Sequence, residues 1–228
     1  MFTIHHLQET LSTNLDARSA RHGDVFFADV QTAGRGRLDH HWLSAPGENL
    51  TFSVALDVSS IPLAQTATFP LVAGLAVARF LAPHSPAVKW PNDVLVSHRK
   101  IAGILCELDL PNIICGIGLN VNQTSLPPAI ASTATSLALI TGSQHSTSAC
   151  LDAILAEISS LYTLWLHKGF AAIHPLLSPL DTLKGRTISI LRTDSDPAPL
   201  SGLCGGIQPD GTLLVAGTPV FAGEAHIL

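Results

Sequence analysis

Short runs of apolar side chains, separated by polar turns, predict strands over most of the N-terminal part of the chain. Residues 2–9 and 24–31 are rich in β-branched and aromatic side chains, as strands are. Residues 49–58 alternate apolar and polar positions and predict a third strand. Between the first two runs, residues 12–23 begin with Ser and Thr and end at a glycine, which predicts a capped helix.

Two longer apolar segments predict helices. Residues 63–82 are apolar almost throughout, with Pro70 expected in the first turn of the helix. Residues 148–170 show the period of an amphipathic helix, and Gly169 is the expected stop.

The segment between these helices predicts further strands. A strand ending at Lys89, a Trp-Pro break and a hairpin turning at residues 97–99 are expected. Residues 112–122 predict a buried strand that contains Gly116 and Gly118, and glycine inside a strand often marks close approach of a ligand.

The pattern changes near residue 180, where short strands with turn signals begin. It predicts an α/β domain over residues 1–180 and a small β domain over residues 181–228. In the second domain, Glu224 is the polar candidate for a functional role.

Composition narrows the class of protein. The 228 residues are 46% hydrophobic and 13% charged, which indicates a folded globular chain. The net charge of −5 argues against general nucleic-acid binding. The first residues carry no signal-peptide pattern, and the apolar run 68–82 is too short to span a bilayer, so we expect a cytoplasmic protein without a membrane anchor.

Cysteine and histidine positions do not indicate a metal site. The four cysteines (Cys106, Cys115, Cys150 and Cys204) lack C-x-x-C spacing and are expected to be reduced, buried thiols. The eleven histidines show no metal-ligand spacing, and the pairs His5-His6 and His40-His41 would each point in opposite directions in an extended chain. We therefore predict no structural metal.

The stretch GRGR, residues 34–37, combines flexible backbone with two guanidinium groups. Gly34 and Gly36 let backbone N–H groups close on an anion, and Arg35 and Arg37 offer forked donors suited to carboxylate or phosphate. Trp42 could lie against a heterocycle. A solvated basic loop is the alternative interpretation.

The stretch KWPND, residues 89–93, places polar groups in an apolar neighbourhood. Such groups cost free energy unless they are paired, so Lys89, Asp93 and the later Lys100 could converge on one pocket. A turn with a surface ion pair is the alternative. Asn120 ends a buried strand and suits either a ligand site or a turn.

Ser12–Asn14 supplies hydroxyls and backbone N–H groups at a predicted helix start, although a simple cap explains it equally well. No local pattern suggests a nucleophile with a neighbouring His and acid. The residues therefore indicate binding and activation of anionic substrates rather than covalent catalysis.

Taken in order, STN, Q-x-x-GRGR-x-x-x-x-W, KWPND, K-x-x-G and G-x-G-x-N-V-N resemble the biotin protein ligases, over residues 10–122. The resemblance implies an α+β fold: a mixed or antiparallel central sheet flanked by helices, as in class II synthetases, followed by a small SH3-like β barrel. It also implies a ligase that uses ATP and Mg²⁺ to activate biotin as biotinyl-5′-AMP.

The resemblance assigns roles to residues in three groups. Catalysis would fall to Lys100, Arg37 and Asp93. Biotin would be held by Ser12, Thr13, Asn14, Gln31, Gly34, Arg35, Gly36, Arg37, Lys100 and Gly103. The nucleotide would be held by Arg35, Arg37, Trp42, Lys89, Asn92, Asp93 and Asn120.

Partners follow from the same resemblance. The acceptor would be a lysine of a biotin carboxyl carrier protein, such as the acetyl-CoA carboxylase subunit, and the ligase would be a monomer or a homodimer. Because the motifs begin at residue 12, we expect no N-terminal helix-turn-helix domain and no DNA binding. Leu38-Asp39 stands where the family commonly has Arg-Gly, which predicts weaker loop closure or adenylate retention.

Two rival functions remain open. A lipoate ligase shares the fold and the adenylate chemistry, and a few pocket contacts decide between the two substrates. A non-catalytic module that binds biotin or an adenylate would be expected to have lost Lys100 or Arg37, and both are present.

Overall fold

The computed structural model describes residues 2–37, 42, 45–192 and 199–228, and for residue 192 it describes the backbone only. Within these residues the chain forms a seven-stranded central sheet, helices packed on it and a five-stranded C-terminal sheet.

The central sheet is mixed. Its strands are β1 (Thr3–Thr10), β2 (Asp24–Gln31), β3 (Asn49–Asp57), β4 (Pro86–Lys89), β5 (Asp93–Val96), β6 (Arg99–Asp109) and β7 (Asn112–Asn120), in the order β1-β2-β3-β7-β6-β5-β4. Among the strands described, β1 and β2 alone pair in parallel, and all other neighbours are antiparallel. The α/β class predicted from the pattern is therefore wrong, and the α+β class implied by the resemblance is confirmed.

The helices are α1 (Thr13–Asp16), α2 (Leu63–Thr66), α3 (Phe69–Phe80), α4 (Leu137–Thr141), α5 (Thr147–Lys168) and α6 (Phe170–Leu177). Helices α3 and α5 pack on each other and on the central sheet, and Phe69 lies 5.0 Å from Trp165 between ring centroids. By length and composition alone, residues 63–80 and 147–168 are long and apolar enough to cross a membrane. Their buried faces belong to the main hydrophobic core, which accounts for that composition without a membrane.

Two predicted helices differ from the structure. The first covers Thr13–Asp16 rather than residues 12–23, because Ser19 adopts a left-handed conformation with φ of 60°. The second is split into α2 and α3. Pro70 lies in the first turn of α3 as predicted, but it has no N–H to donate to the carbonyl of Thr66, so one continuous helix would lose that bond.

The remaining strand and turn predictions are confirmed, and the four cysteines are free thiols, although Cys106 is half-buried rather than buried. The strands over 2–9, 24–31, 49–58 and 112–122 form close to their predicted bounds. The hairpin turns at Ser97 and His98, both with positive φ, and α5 ends at Gly169.

The C-terminal sheet is antiparallel throughout its described strands. These are β8 (Thr187–Arg192), β9 (Leu200–Ile207), β10 (Leu213–Val215), β11 (Thr218–Val220) and β12 (Gly223–Ile227), in the order β11-β10-β9-β8-β12. The Trp90 indole N–H donates to the carbonyl of Gly211 at 3.1 Å and ties this sheet to the KWPND segment. The domain boundary near residue 180 and the SH3-like closure of the barrel stay predictions.

Candidate active site

A cavity of about 1120 Å³ lies over strands β6 and β7. Every site residue that the sequence predicted lines it: Ser12, Thr13, Asn14, Gln31, Gly34, Arg35, Gly36, Arg37, Trp42, Lys89, Asn92, Asp93, Lys100, Gly103 and Asn120. Segments separated by more than a hundred residues in the chain thus meet around one space. Their roles toward any ligand stay predictions.

The floor of the cavity is made of glycine backbone. Gly103 and Gly118 face each other across β6 and β7, and the Trp42 indole lies against both. A Cβ at Gly118 would overlap the indole ring, and one at Gly116 would overlap the side-chain amide of Asn14. The close approach expected at these glycines is therefore made by side chains of the chain itself.

Trp42 connects the glycine-rich segment to the floor of the cavity. Its backbone N–H donates to the carbonyl of Gly34 at 2.9 Å, and the Lys100 ammonium lies 5.9 Å from the centre of its ring. The predicted contact between Trp42 and adenine stays a prediction. Leu38-Asp39 and His40-His41 lie outside the described residues, so the predicted effect of Leu38-Asp39 stays untested.

One end of the cavity is lined by a chain of buried hydrogen bonds. The backbone N–H of Thr13 donates to Gln31 Oε1 at 2.8 Å, and the hydroxyls of Thr13 and Ser53 are 2.7 Å apart. Ser53 in turn donates to Asn14 Oδ1 at 2.6 Å. Ser12 is buried beside them and, within the described residues, makes no capping bond to α1. Hydroxyl and amide groups held this rigidly suit a polar, uncharged ring.

The other end carries cations and a carboxylate. The Lys100 ammonium lies 2.7 Å from Asp93 Oδ1. The backbone of Lys100 is fixed because its N–H donates to Thr133 O at 2.7 Å and its carbonyl accepts from Thr135 N at 2.8 Å. A cation on a fixed strand, beside a glycine floor, can meet an anion that enters the cavity.

Arg37 joins this end to the C-terminal sheet. Its Nη1 donates to the carbonyl of Gly223 at 3.3 Å. Burial lowers the pKa of the Arg37 guanidinium, while the negative charges of Asp93 and Glu224 act in the opposite direction. A partly desolvated cation gains by receiving a further anion.

Two residues that were predicted to bind the nucleotide also make hydrogen bonds that hold the strands around the cavity in place. The Asn92 amide donates to Ile104 O at 2.8 Å and braces the start of β5 against β6. The Asn120 amide donates to Thr135 O at 2.9 Å and its Oδ1 accepts from Asn49 at 3.3 Å. Both side chains still reach the cavity wall.

Sequence reasoning missed several contributors. Ser53 and Glu107 complete the hydrogen-bond chain, and residues 224–227 of β12 line the cavity from the C-terminal sheet. Of the latter residues, Glu224 alone was a candidate. No motif marks the others, because their place in the site depends on strand pairing across the fold.

A mixed α+β core with a glycine-floored cavity lined by Lys100 and Arg37 is the type of fold and site that the structure defines, and comparison with known proteins identifies the family. The model of the biotin/lipoate A/B protein ligase family matches residues 3–122, more than half of the chain. The chain belongs to this family.

Named relatives agree with that assignment. The chain is 40% identical over 141 residues to the biotin–[acetyl-CoA-carboxylase] ligase of Mycobacterium tuberculosis, covering 57% of this chain and 52% of that protein. It is 34% identical over 165 residues to the bifunctional ligase/repressor BirA of Bacillus spizizenii, covering 68% and 50%. The chain thus spans about half the length of these curated relatives.

Solved structures share the whole fold. The biotin protein ligase of Aquifex aeolicus in complex with biotin and ATP superposes with a TM-score of 0.88 at 30% identity, over 100% of this chain and 99% of that one. The Leishmania major biotin protein ligase in complex with biotinyl-5-AMP matches with a TM-score of 0.68 at 26% identity, over 99% and 98%. The predicted α+β architecture is confirmed by these matches.

Proposed function

We propose that this protein is an ATP-dependent biotin ligase, which activates biotin as biotinyl-5′-AMP and transfers it to a lysine of a carrier protein. One observation carries the proposal: the polar groups suited to a cyclic urea and the cations suited to a carboxylate and a phosphate line the same cavity. Relatives with this fold are named as biotin protein ligases, and one was solved with biotin and ATP.

In the first step, a carboxylate oxygen of biotin attacks the α-phosphorus of ATP. A bond forms between that oxygen and the α-phosphorus, the bond from the α-phosphorus to the bridging oxygen breaks, and pyrophosphate leaves. Two anions must approach each other, and Lys100 and Arg37 offset their repulsion. Both cations border a partly desolvated cavity, where their fields act more strongly than in water. The carboxylate of Asp93 holds Lys100 at the cavity wall in the absence of substrate.

In the second step, the neutral ε-amine of the carrier lysine attacks the acyl carbon of the mixed anhydride. An amide bond forms, AMP leaves, and the amine loses a proton. The carboxylate of Asp93 lies at this end of the cavity beside Lys100, so it can orient the amine or accept that proton.

ATP would arrive with Mg²⁺, which supplies charge neutralisation at the phosphates. Among the described residues no group of three or more His, Cys, Asp or Glu could hold a metal by itself. Carboxylates of Glu48, Asp93 and Glu224 line the cavity, and oxygen donors of this kind fit a hydrated Mg²⁺ shared with phosphate.

The carrier is a biotin carboxyl carrier protein in this proposal, and the ligase works in the cytoplasm as a monomer or a homodimer. The Mycobacterium tuberculosis relative, a biotin–[acetyl-CoA-carboxylase] ligase, supports the connection with a carboxylase. The test is transfer: a purified carrier domain is incubated with the protein, Mg-ATP and either biotin or lipoate, and its lysine is examined by intact mass. A biotin adduct supports the proposal. A lipoyl adduct alone would show that the substrate is lipoate rather than biotin. The absence of an adduct with either acid would contradict ligase activity.

A further inference from the structure

Glu107 lies on β6 beside the hydrogen-bonded end of the cavity and belongs to none of the predicted motifs. Its Oε2 accepts from Asn14 Nδ2 at 2.7 Å, and Leu105 O lies 3.4 Å from the same nitrogen. An ionised carboxylate and a carbonyl can only accept, so the amide of Asn14 must turn its NH₂ group toward them. Its Oδ1 then faces the interior.

This orientation fixes the direction of the bond between Ser53 and Asn14. Asn14 Oδ1 accepts the hydrogen of Ser53 Oγ at 2.6 Å. A hydroxyl has one hydrogen, so Ser53 has none left for Thr13 Oγ1, 2.7 Å away, and the Thr13 hydrogen goes to Ser53 Oγ at that distance or to Gln31 Oε1 at 3.1 Å. Gln31 Oε1 already accepts a hydrogen bond from the Thr13 backbone N–H at 2.8 Å. Its distance of 3.1 Å to the Thr13 hydroxyl is longer than the distance of 2.7 Å between the hydroxyls of Thr13 and Ser53.

The consequence appears at the cavity wall. Once its hydrogen points to Ser53, the Thr13 oxygen offers lone pairs to a ligand. A cyclic urea has N–H donors at its ring nitrogens, and an acceptor at Thr13 is what such a donor requires. If the chain ran in the opposite direction, Ser53 would donate to Thr13 and occupy one of its lone pairs, and the Thr13 hydrogen could turn to Gln31 Oε1 or toward the ligand N–H. The ligand N–H would then face a poorer acceptor.

We infer that Glu107 is a positioning residue that makes Thr13 an acceptor for the urea N–H of the substrate, acting through Asn14 and Ser53. The inference rests on the proposed function, because it takes biotin as the ligand. Glu107 also reaches the glycine-rich segment, since its Oε2 lies 3.4 Å from the Arg35 guanidinium. Both side chains are partly exposed there, so this ion pair adds little beside the bond to Asn14.

The first test compares two uncharged replacements of equal length. Glu107→Gln keeps an oxygen that can accept from Asn14, whereas Glu107→Met keeps none. Biotin binding is measured by calorimetry without ATP. We expect Glu107→Met to bind at least about tenfold more weakly, and Glu107→Gln to stay within about threefold of the wild type. In pyrophosphate exchange, Glu107→Met should raise the KM for biotin while kcat stays within about threefold.

The second test exchanges the two groups. Asn14→Asp alone sets two carboxylates against each other and should weaken biotin binding. Adding Glu107→Gln lets the new amide donate to Asp at position 14, which still accepts from Ser53. The double variant keeps the direction of the chain and should recover at least about tenfold of the lost affinity.

Arg18→Ala is the matched control. Arg18 lies 3.8 Å from Glu107 Oε1 and does not line the cavity, so its loss should leave biotin affinity within about threefold. Thermal melting verifies that each variant is folded. Equal loss in Glu107→Gln and Glu107→Met would show that charge matters rather than direction, and would overturn the inference. So would wild-type affinity in a folded Glu107→Met. A wild-type protein that binds no biotin would instead overturn the proposed function and remove the basis of the inference.

Discussion

Replacing Lys100 by methionine removes one charge from the cavity and keeps the stem of the side chain. The Lys100 ammonium reaches the cavity from a strand whose backbone is held on both sides, and Asp93 lies 2.7 Å from it. In the proposed first step the same ammonium faces the carboxylate and the α-phosphate. A unit charge about 4 Å from an anion, at an effective dielectric constant of about 20, contributes about 4 kcal/mol.

That contribution corresponds to a loss of about 10²–10³ in the rate of adenylate formation for Lys100→Met, since each factor of ten takes about 1.4 kcal/mol. Folding should change by less than about 1 kcal/mol, because the side chain is 38% exposed and the ion pair with Asp93 is partly solvated. The rate of biotin-dependent pyrophosphate exchange and the melting temperature are measured together.

Arg99→Ala provides the control for Lys100→Met. Arg99 is a cation on the adjacent position of β6, but it does not line the cavity. Its exchange rate should stay within about threefold of the wild type. A folded Lys100→Met that exchanges pyrophosphate at nearly the wild-type rate would remove Lys100 from the mechanism.

Three further predictions concern other parts of the molecule. Gly118→Ala places a methyl group where the Trp42 ring lies, so the indole should leave the glycine floor and its fluorescence should shift to the red; an unchanged emission spectrum would argue against this seat for Trp42. Arg37→Gly removes a cation that lines the cavity and would border the proposed adenylate, so it should increase biotinylation of a bystander protein on streptavidin blots, whereas equal labelling would exclude a retention role. Burial, with the Asp57 charge second, raises the pKa of Tyr162 to about 12, and the chain has one tyrosine, so ultraviolet titration should show a midpoint near that value. The folded state holds this proton more tightly than the unfolded state, so stability should fall as pH rises from about 10 to 12, and a midpoint near 10 would show that the hydroxyl is not buried.

The resemblance to the biotin protein ligases assigned the motif residues to one site, and the residues by themselves gave partial signals such as glycine inside a strand. Gly116 and Gly118 are examples, since a Cβ at either position would overlap Asn14 or Trp42. The residues missed by the sequence have no such local signature. Ser53 and Glu107 are ordinary polar residues on β3 and β6, and only the packing of α1 against these strands brings Asn14 between them.

For the architecture as well, the local elements could be predicted from the sequence and their arrangement could not. Strand positions follow from apolar alternation, which strand burial enforces directly. The parallel pairing of β1 with β2 and the antiparallel pairing elsewhere depend on how the connections cross, and the apolar pattern does not contain that information. The split between α2 and α3 was missed although Pro70 was noted, because the apolar run continues through the break.

Pyrophosphate exchange into ATP, measured with biotin, with lipoate and with neither acid, tests the central claim most directly. The proposed function predicts exchange that requires biotin and disappears in Lys100→Met. Exchange with lipoate alone would contradict the assigned substrate, and a folded protein that exchanges with neither acid in the presence of Mg²⁺ would contradict the ligase mechanism itself.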